Sequence, residues 1–398
     1  MPEGRSLLSR IRGRLAWEAG RVAALPKLAG ELLWDTPLHD LAARFGRVRV
    51  TTGAMPDSRR VAIYVIFPTD GLLESHRLAL RHIADCGYAP LVVTHVPLSP
   101  GDREAVLGLS WRLIERPNFG YDFGGYRAAV LSLGDDLPSL SALALLNDSV
   151  WFPVPGGRDW LKVAEEAGTD VVGAVSNYGI QTVALDRPQD MRWAYDPSRP
   201  DFHYCSFALW FGPAVLNDPK FRTFWRRFHL TDNKFRTVRR GEVGLSQWLL
   251  ARGYSHRESL GTASFGDEVG RMDAAEVEDW LKALIIPEEP DLAALGDALL
   301  ARRGGPDWAQ DARAYLLLAV ARTGMSYALP AYALRVKGHS MLKKSPLKLA
   351  LQGAERTVTL VETLQGPGAD IVRVEARTLM AARNDRRRGE KQASGPPQ

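Results

Sequence analysis

The sequence predicts an α/β protein: an open, mostly parallel sheet with flanking helices, followed by a helical C-terminal region. Two observations predict it. From residue 60 to about 175, short apolar runs alternate with helical periodicity, as in successive strand–helix–strand crossovers. After about residue 266 the strand-like runs stop and helical periodicity continues alone.

The elements follow in order. Val61–Phe67 is an unbroken apolar run, as in a parallel strand buried on both faces. Leu72–Cys86 has helical spacing, Pro90–Val96 reads as a strand and Pro100–Leu109 as a short helix. Trp111–Arg116 is a third strand, Gly124–Leu133 a helix, and Ala142–Leu146 a fourth strand that ends at Asn147-Asp148-Ser149. Asp159–Ala167 is helical and Val171–Val175 is a fifth strand. Tyr204–Phe211 reads as an antiparallel strand, with helices at Phe221–His229 and Glu242–Arg252. Beyond 266, Asp273–Leu284, Asp291–Arg302 and Trp308–Arg322 are helical, then a Pro- and Lys-rich segment runs from Pro330 to Pro346. The chain divides accordingly into a basic amphipathic segment (1–55), an α/β domain (56–265), a helical region (266–383) and a tail (384–398) whose composition predicts disorder.

Bulk properties narrow the function classes. With 398 residues, 45% apolar and 24% charged, the chain can bury a sizeable core. Its formal charge of +5 suits phosphate-bearing ligands or an anionic membrane surface. The basic residues cluster at the chain ends without an aromatic–basic motif, which speaks against a nucleic-acid partner. Cys86 and Cys205 lack Cys-x-x-Cys spacing, which argues against a disulfide scaffold or a zinc site and fits a reducing compartment. The N-terminus lacks the pattern of a signal peptide, and no run reaches the roughly 20 apolar residues of a membrane span. In residues 1–30, Leu7, Leu8, Ile11, Leu15 and Val22 share one helical face flanked by Arg10, Arg14 and Arg21. Such a helix either lies on an anionic membrane or packs on the main domain. The expected location is the cytoplasm, with peripheral contact at the inner face of the membrane.

Two constellations carry chemistry. RPNFGYDFGGYR (116–127) sits where the third strand passes into a helix, and ligands of open α/β sheets bind at the strands' carboxyl ends. Gly120, Gly124 and Gly125 permit a tight turn, and free N–H groups at the helix start favour an anion. Arg116 is placed to neutralise a diphosphate; Asp122 either accepts from a ribose hydroxyl or caps the helix. The pattern is neither a Walker A loop nor G-x-G-x-x-G, which disfavours an ATPase or a dehydrogenase. In the second, Asn147-Asp148-Ser149, Asp148 is positioned for Mg²⁺ or Mn²⁺ or for the ligand's sugar, and an Asx turn is the plainer reading.

With RPNFGYDFGGYRAA (116–129), LLNDSVWFP (145–153), HYCSFALWFGP (203–213) and GEVGLSQWLLARGY (241–254), the chain resembles the rhamnan synthesis protein F family of bacterial glycosyltransferases. The resemblance covers roughly residues 60–265, with a fainter echo in PAYALRVKGHSMLKKSPL (330–347). It implies a GT-A-like fold, a nucleotide-diphosphate sugar donor such as dTDP-L-rhamnose, and a place in cell-surface polysaccharide assembly. By the same resemblance, Asn118, Gly120, Asp122 and Gly124 match the donor-loop motif, and Asn147 and Asp148 stand where such enzymes place Asp-x-Asp. Asn147 in place of the first Asp departs from that pattern and bears on metal dependence.

An inverting transferase of this kind needs a carboxylate base for the acceptor hydroxyl and cations for the leaving diphosphate. Glu242, just after Gly241, is the candidate base, its alternative being a dipole-stabilising residue of a first helical turn. His256 is a candidate third metal ligand, and His203 and Trp210 are candidate acceptor contacts; each has a structural alternative. Lys337, Lys343, Lys344 and Lys348 suit a lipid-pyrophosphate acceptor. The reading is a glycosyltransferase with a glycan or lipid-linked glycan acceptor; the alternative is a non-catalytic nucleotide-sugar-binding or scaffold subunit.

Overall fold

The structure, a computed structural model, describes residues 48–287 and 289–393 together with Pro37, Asp40 and Leu41. The amphipathic pattern of residues 1–30 lies outside the described residues. Twelve strands are described: β1 (Arg49–Thr52), β2 (Arg60–Ile66), β3 (Ala89–Thr94), β4 (Arg112–Glu115), β5 (Ala142–Asn147), β6 (Val150–Trp151), β7 (Val171–Gly173), β8 (Ser176–Asn177), β9 (His203–Tyr204), β10 (Ala208–Phe211), β11 (His256–Glu258) and β12 (Leu342–Lys343). Eight of them form one sheet in the order β1-β4-β3-β2-β5-β10-β7-β11. The stretch β4-β3-β2-β5 is parallel throughout, as its continuous apolar runs predict. β10 runs antiparallel between β5 and β7, which matches the sequence expectation for 208–211.

The predicted single strand Tyr204–Phe211 is instead broken at Cys205–Phe207. Its first part, β9, pairs with β8 in a separate two-stranded sheet, and the turn between β9 and β10 reaches the end of β5. That break places Ser206 in the turn beside Asn147 at the end of β5.

Side chains alternate across the sheet, so each face builds its own core. One face holds Ala62, Tyr64, Ile66, Ala144 and Leu146. Helix Glu74–Asp85 packs there through Ala79, Leu80 and Ile83. The other face holds Val61, Ile63, Val65, Leu143 and Leu145 under Phe123, Tyr126, Ala129 and Val130 of helix Tyr121–Ser132. Each such fully buried aliphatic or aromatic side chain contributes about 1.5–3 kcal/mol of transfer free energy.

The helical C-terminal region is not set apart from the sheet. Its helices Ala274–Ala283 and Trp308–Thr323 share the first core through Val277, Tyr315 and Leu316. It also contains a strand that the sequence reading did not expect, because β12 is only two residues long; it pairs with β6 immediately after Asn147-Asp148-Ser149. The last helix, Ala369–Ala393, extends into the segment expected to be a disordered tail from residue 384.

Candidate active site

The chain steps outward from β2 to β3 to β4 and then returns to the other side of β2 as β5. The carboxyl ends of β2 and β5 therefore flank the point where the strand order reverses, the crevice in which open α/β sheets hold ligands. β2 ends at Phe67–Gly71 and β5 at Asn147-Asp148-Ser149. Because alternate residues face opposite sides, Asn147 and Asp148 point apart and organise two different clusters.

Asp148 belongs to the β2 side. Its Oδ2 accepts a 2.7 Å hydrogen bond from the Phe67 N–H and lies 3.2 Å from His76 Nε2. His76 Nδ1 accepts from the Leu73 N–H at 3.2 Å, so the ring proton sits on Nε2 and points at Asp148. Burial alone would raise the Asp148 pKa, yet the His76 bond, the Lys344 charge and the Phe67 N–H hold it below the ordinary carboxylate value. Asp148 is thus an anion at neutral pH. It lines a cleft of about 390 Å³ with Thr69, Asp70, Ser149, Lys344 and Lys348. The carboxylates Asp70, Asp148 and Glu375 outnumber the lysines in this cleft, and Lys344 pairs with Glu375 at 2.6 Å.

Asn147 belongs to the other side. Its Oδ1 accepts from Ser149 N–H and Oγ–H, and its Nδ2 donates to Asp122 Oδ2 at 3.0 Å. Asp122 lies in the first turn of helix Tyr121–Ser132, which Gly120 starts at φ +82°, a left-handed conformation that favours glycine. Ser206 Oγ lies 2.8 Å from Asp122 Oδ2 and 2.6 Å from Glu242 Oε1, and the Ser206 N–H donates to the same Oε1 at 2.9 Å. A hydroxyl has one proton to donate, so the two short contacts are both satisfied only when one carboxyl group is protonated. Burial and the Glu242 charge raise the Asp122 pKa above the ordinary carboxylate value, which favours that proton on Asp122.

Glu242 lies in a single π-helical turn, Arg239–Val243, that leads into helix Gly244–Ala251. Gly241 in that turn packs against the Phe123 ring, where a Cβ would come within 2.5 Å. Glu242 Oε2 is 3.5 Å from His203 Nε2. His203 Nδ1 is 2.9 Å from the Asp201 carbonyl, which can only accept, so Nδ1 carries hydrogen and Nε2 faces Glu242. The Tyr178 ring lies 5.6 Å from the His203 ring and lines a second cleft of about 500 Å³ with Lys234, Arg322, Tyr327 and Ser345. Ser345 lines both clefts, so they adjoin there. Lys343, next to Lys344 on β12, sends its ammonium over the Phe207 ring at 4.1 Å, and its charge bears on Asp122.

The raised Asp122 pKa has a consequence for stability. The fold holds a proton that the unfolded chain has released, so stability falls as pH rises through the interval above the ordinary value of 3.8. The wild-type chain is expected to lose melting temperature relative to Asp122→Asn as pH rises above about 4. A difference that is flat with pH would show that Asp122 holds no such proton.

Several sequence-predicted residues lie elsewhere. Arg116 is turned inward: it is buried, contacts His95 Nε2 at 3.2 Å and donates to the Phe119 carbonyl at 2.9 Å, fastening its own loop. Burial and the neighbouring Arg127 bring its pKa down to about 10. Gly124 serves the same packing, since a Cβ there would meet the Phe119 carbonyl at 2.2 Å, whereas Asn118 is exposed on the loop. Trp210 is buried and donates to Tyr88 Oη at 2.9 Å within the sheet core, so it offers no acceptor surface.

His256 does not join Asp148. Its strand register aligns it with Leu143, four residues before Asn147 and three strands away, about 13 Å along and 14 Å across the sheet. It bonds Tyr204 Oη at 2.6 Å instead. Lys337 pairs with Glu268, away from both clefts. The sequence reading missed His76, Ser206 and the Phe67–Gly71 loop. The loop had a signal, since it follows the first parallel strand; Ser206 sat inside an apolar run and had none.

Residues 91–280 match the family described as rhamnan synthesis protein F. An uncharacterized protein, y4gN, of Sinorhizobium fredii (strain NBRC 101917 / NGR234) is 31% identical over 198 residues, 50% of this chain and 48% of its own length. The chain thus spans about half the length of that curated relative. Among solved structures, the mannosyltransferase Ktr4p from S. cerevisiae aligns with 45% of this chain and 62% of its own at 9% identity and a TM-score of 0.24. The mannosyltransferase PcManGT from Pyrobaculum calidifontis, in complex with GDP-Man and Mn²⁺, aligns with 92% and 97% at 17% identity and a TM-score of 0.27. Scores this low do not map one site onto another. Among the described residues, no helix is long and apolar enough to cross a membrane.

Proposed function

We propose that this chain is a glycosyltransferase of GT-A-like architecture. It takes a nucleotide-diphosphate sugar in the cleft between Phe67–Gly71 and Asp148–Ser149, and Glu242, which lies behind His203 and the Tyr178 ring that lines the adjoining cleft, activates the acceptor hydroxyl. The observation that carries this reading is the divergence of Asn147 and Asp148 at the reversal point of the sheet. One residue anchors the Asp122–Ser206–Glu242 cluster, and the next offers a held carboxylate to a cleft of about 390 Å³.

The donor cleft has more carboxylates than lysines, so it suits a diphosphate accompanied by a divalent cation, Mg²⁺ or Mn²⁺, better than a bare diphosphate. Asp148 Oδ2 is engaged by Phe67 and His76, which leaves Oδ1 for that ion. One carboxylate is enough for an ion that keeps waters and binds substrate phosphates. When bound, the cation neutralises charge on the leaving diphosphate. Lys344, whose N–H donates to the Ser149 carbonyl, and Lys348 add positive charge beside Asp148.

In the transfer, Glu242 accepts the proton of the acceptor hydroxyl while the acceptor oxygen forms a bond to the sugar's anomeric carbon. The bond from that carbon to the diphosphate breaks, the nucleoside diphosphate leaves with the electron pair, and the single displacement inverts the anomeric centre. Asp122 and Ser206 orient Glu242, whose Oε2 lies 3.5 Å from His203 Nε2. The match to rhamnan synthesis protein F supports L-rhamnose as the sugar and a cell-surface polysaccharide or lipid-linked glycan as the acceptor. The basic composition of residues 1–55 supports peripheral contact with an anionic membrane at its cytosolic face.

A thermal-shift panel of UDP-, GDP- and dTDP-sugars, with and without Mn²⁺, followed by a transfer assay on the binders, tests the reading. A ligand at a hundred times its Kd adds about 2.7 kcal/mol to the folded state. One nucleotide class is expected to stabilise the chain, more so with Mn²⁺, and to be turned over. Binding without hydrolysis or transfer would make the chain a nucleotide-sugar-binding subunit instead, and no shift with any donor would overturn the donor site.

A further inference from the structure

We infer a zinc site formed by His82, Cys86 and Asp159, separate from both clefts. His82 and Cys86 stand four residues apart on one face at the C-terminal end of helix Glu74–Asp85, so their side chains project side by side. Asp159 comes from the other direction as the cap of helix Trp160–Glu165. Its Oδ1 accepts from the Leu161 and Lys162 N–H groups, which turns Oδ2 toward the cysteine.

The spacing is that of a coordination shell. Cys86 Sγ lies 3.1 Å from Asp159 Oδ2 and 3.7 Å from His82 Nε2, and His82 Nε2 lies 3.5 Å from Asp159 Oδ1. Ligands placed tetrahedrally at zinc's usual bond lengths are separated by about 3.4–3.6 Å. Among the described residues this is the one group of three His, Cys, Asp or Glu side chains that meets within metal-binding reach. All three are half-buried, which leaves the fourth position to water. The Phe152 ring stands edge-on to His82 at 5.0 Å and holds the imidazole in place.

The ligand set is sulfur, nitrogen and oxygen, which favours zinc over magnesium or calcium. The helix's C-terminal end also favours a cation. The competing charges are Lys162, whose ammonium lies 3.8 Å from Asp159 Oδ2 on a largely exposed side chain, and Asp85, which favours the metal. As a free thiol Cys86 is a poor nucleophile, its pKa pushed up to about 12 by burial and by Asp159, so the cluster is not built for thiolate chemistry on its own. Coordination forms the Zn–S bond and releases the thiol proton to water. No Cys-x-x-Cys spacing marks the site, and for that reason the sequence argued against zinc.

The site would be a brace. It ties the end of the helix that carries His76, about 9 Å further along its axis, to the segment that leaves Asn147-Asp148-Ser149 through Phe152. The test uses the full chain loaded with Zn²⁺ or Co²⁺ and then desalted. The expected result is about one metal per chain by elemental analysis and a thiolate-to-Co²⁺ charge-transfer band, both lost in Cys86→Ser and reduced several-fold in His82→Gln. The other cysteine, Cys205, is buried beside Asn177, so the wild-type band reports on Cys86 even where a variant fails to fold. Wild-type chain that retains no metal and shows no band, or Cys86→Ser that keeps both, overturns the site. Neither readout depends on sugar transfer, so the brace and the transferase reading fail separately.

Discussion

Glu242→Gln is expected to lower transfer by about 10²–10⁴-fold, the usual contribution of a positioned general base, while leaving nucleotide-sugar affinity within a few-fold of wild type. Glutamine keeps the side chain's size. Its carbonyl oxygen can still accept from Ser206 N–H and Oγ–H, as Glu242 Oε1 does at 2.9 and 2.6 Å, so the π-helical turn keeps its anchor. The variant loses the ability to accept a proton. Its amide also turns a donor toward His203 Nε2, which lies 3.5 Å from Oε2 in the wild type. Steady-state transfer alongside calorimetric donor binding separates the two effects. Full transfer by a folded Glu242→Gln would remove Glu242 from the chemistry.

Asp148→Asn should act on the other half of the reaction. Asn keeps an oxygen for the Phe67 N–H and His76, so the loop should hold its shape. It removes the anion that His76 and Lys344 keep ionised at neutral pH. The expected loss is about 10²–10³-fold in kcat/KM, the scale of one electrostatic group aimed at developing charge. The residual activity should no longer respond to added Mn²⁺. A variant that keeps both its activity and its Mn²⁺ response would place the donor elsewhere.

Much of this arrangement was legible in the sequence, and the reasons for the rest are specific. The runs Val61–Phe67, Pro90–Val96 and Ala142–Leu146 announced parallel strands because both their faces are buried. The Asn147-Asp148-Ser149 turn was placed correctly at a strand end. Arg116 was not legible. In a glycine-rich loop, an arginine that binds phosphate and one that fastens its own backbone have the same sequence, and burial decides between them. His256 failed for another reason: β11 pairs with β7 over more than eighty residues, and only that register shows how far it lies from Asp148. Ser206 depends on three separate elements meeting, and Lys343 and Lys344 face their two clusters only because a two-residue strand docks on β6.

On the proposed function, a nucleotide sugar occupies the crevice between the ends of β2 and β5. Hydrogen–deuterium exchange with and without the stabilising donor and Mn²⁺ tests it most directly. Exchange is expected to slow in Phe67–Gly71, Asp148–Ser149 and the segment from Lys344 to Lys348. Slowed exchange confined to the Arg116–Arg127 loop, with those three segments unchanged, would contradict it.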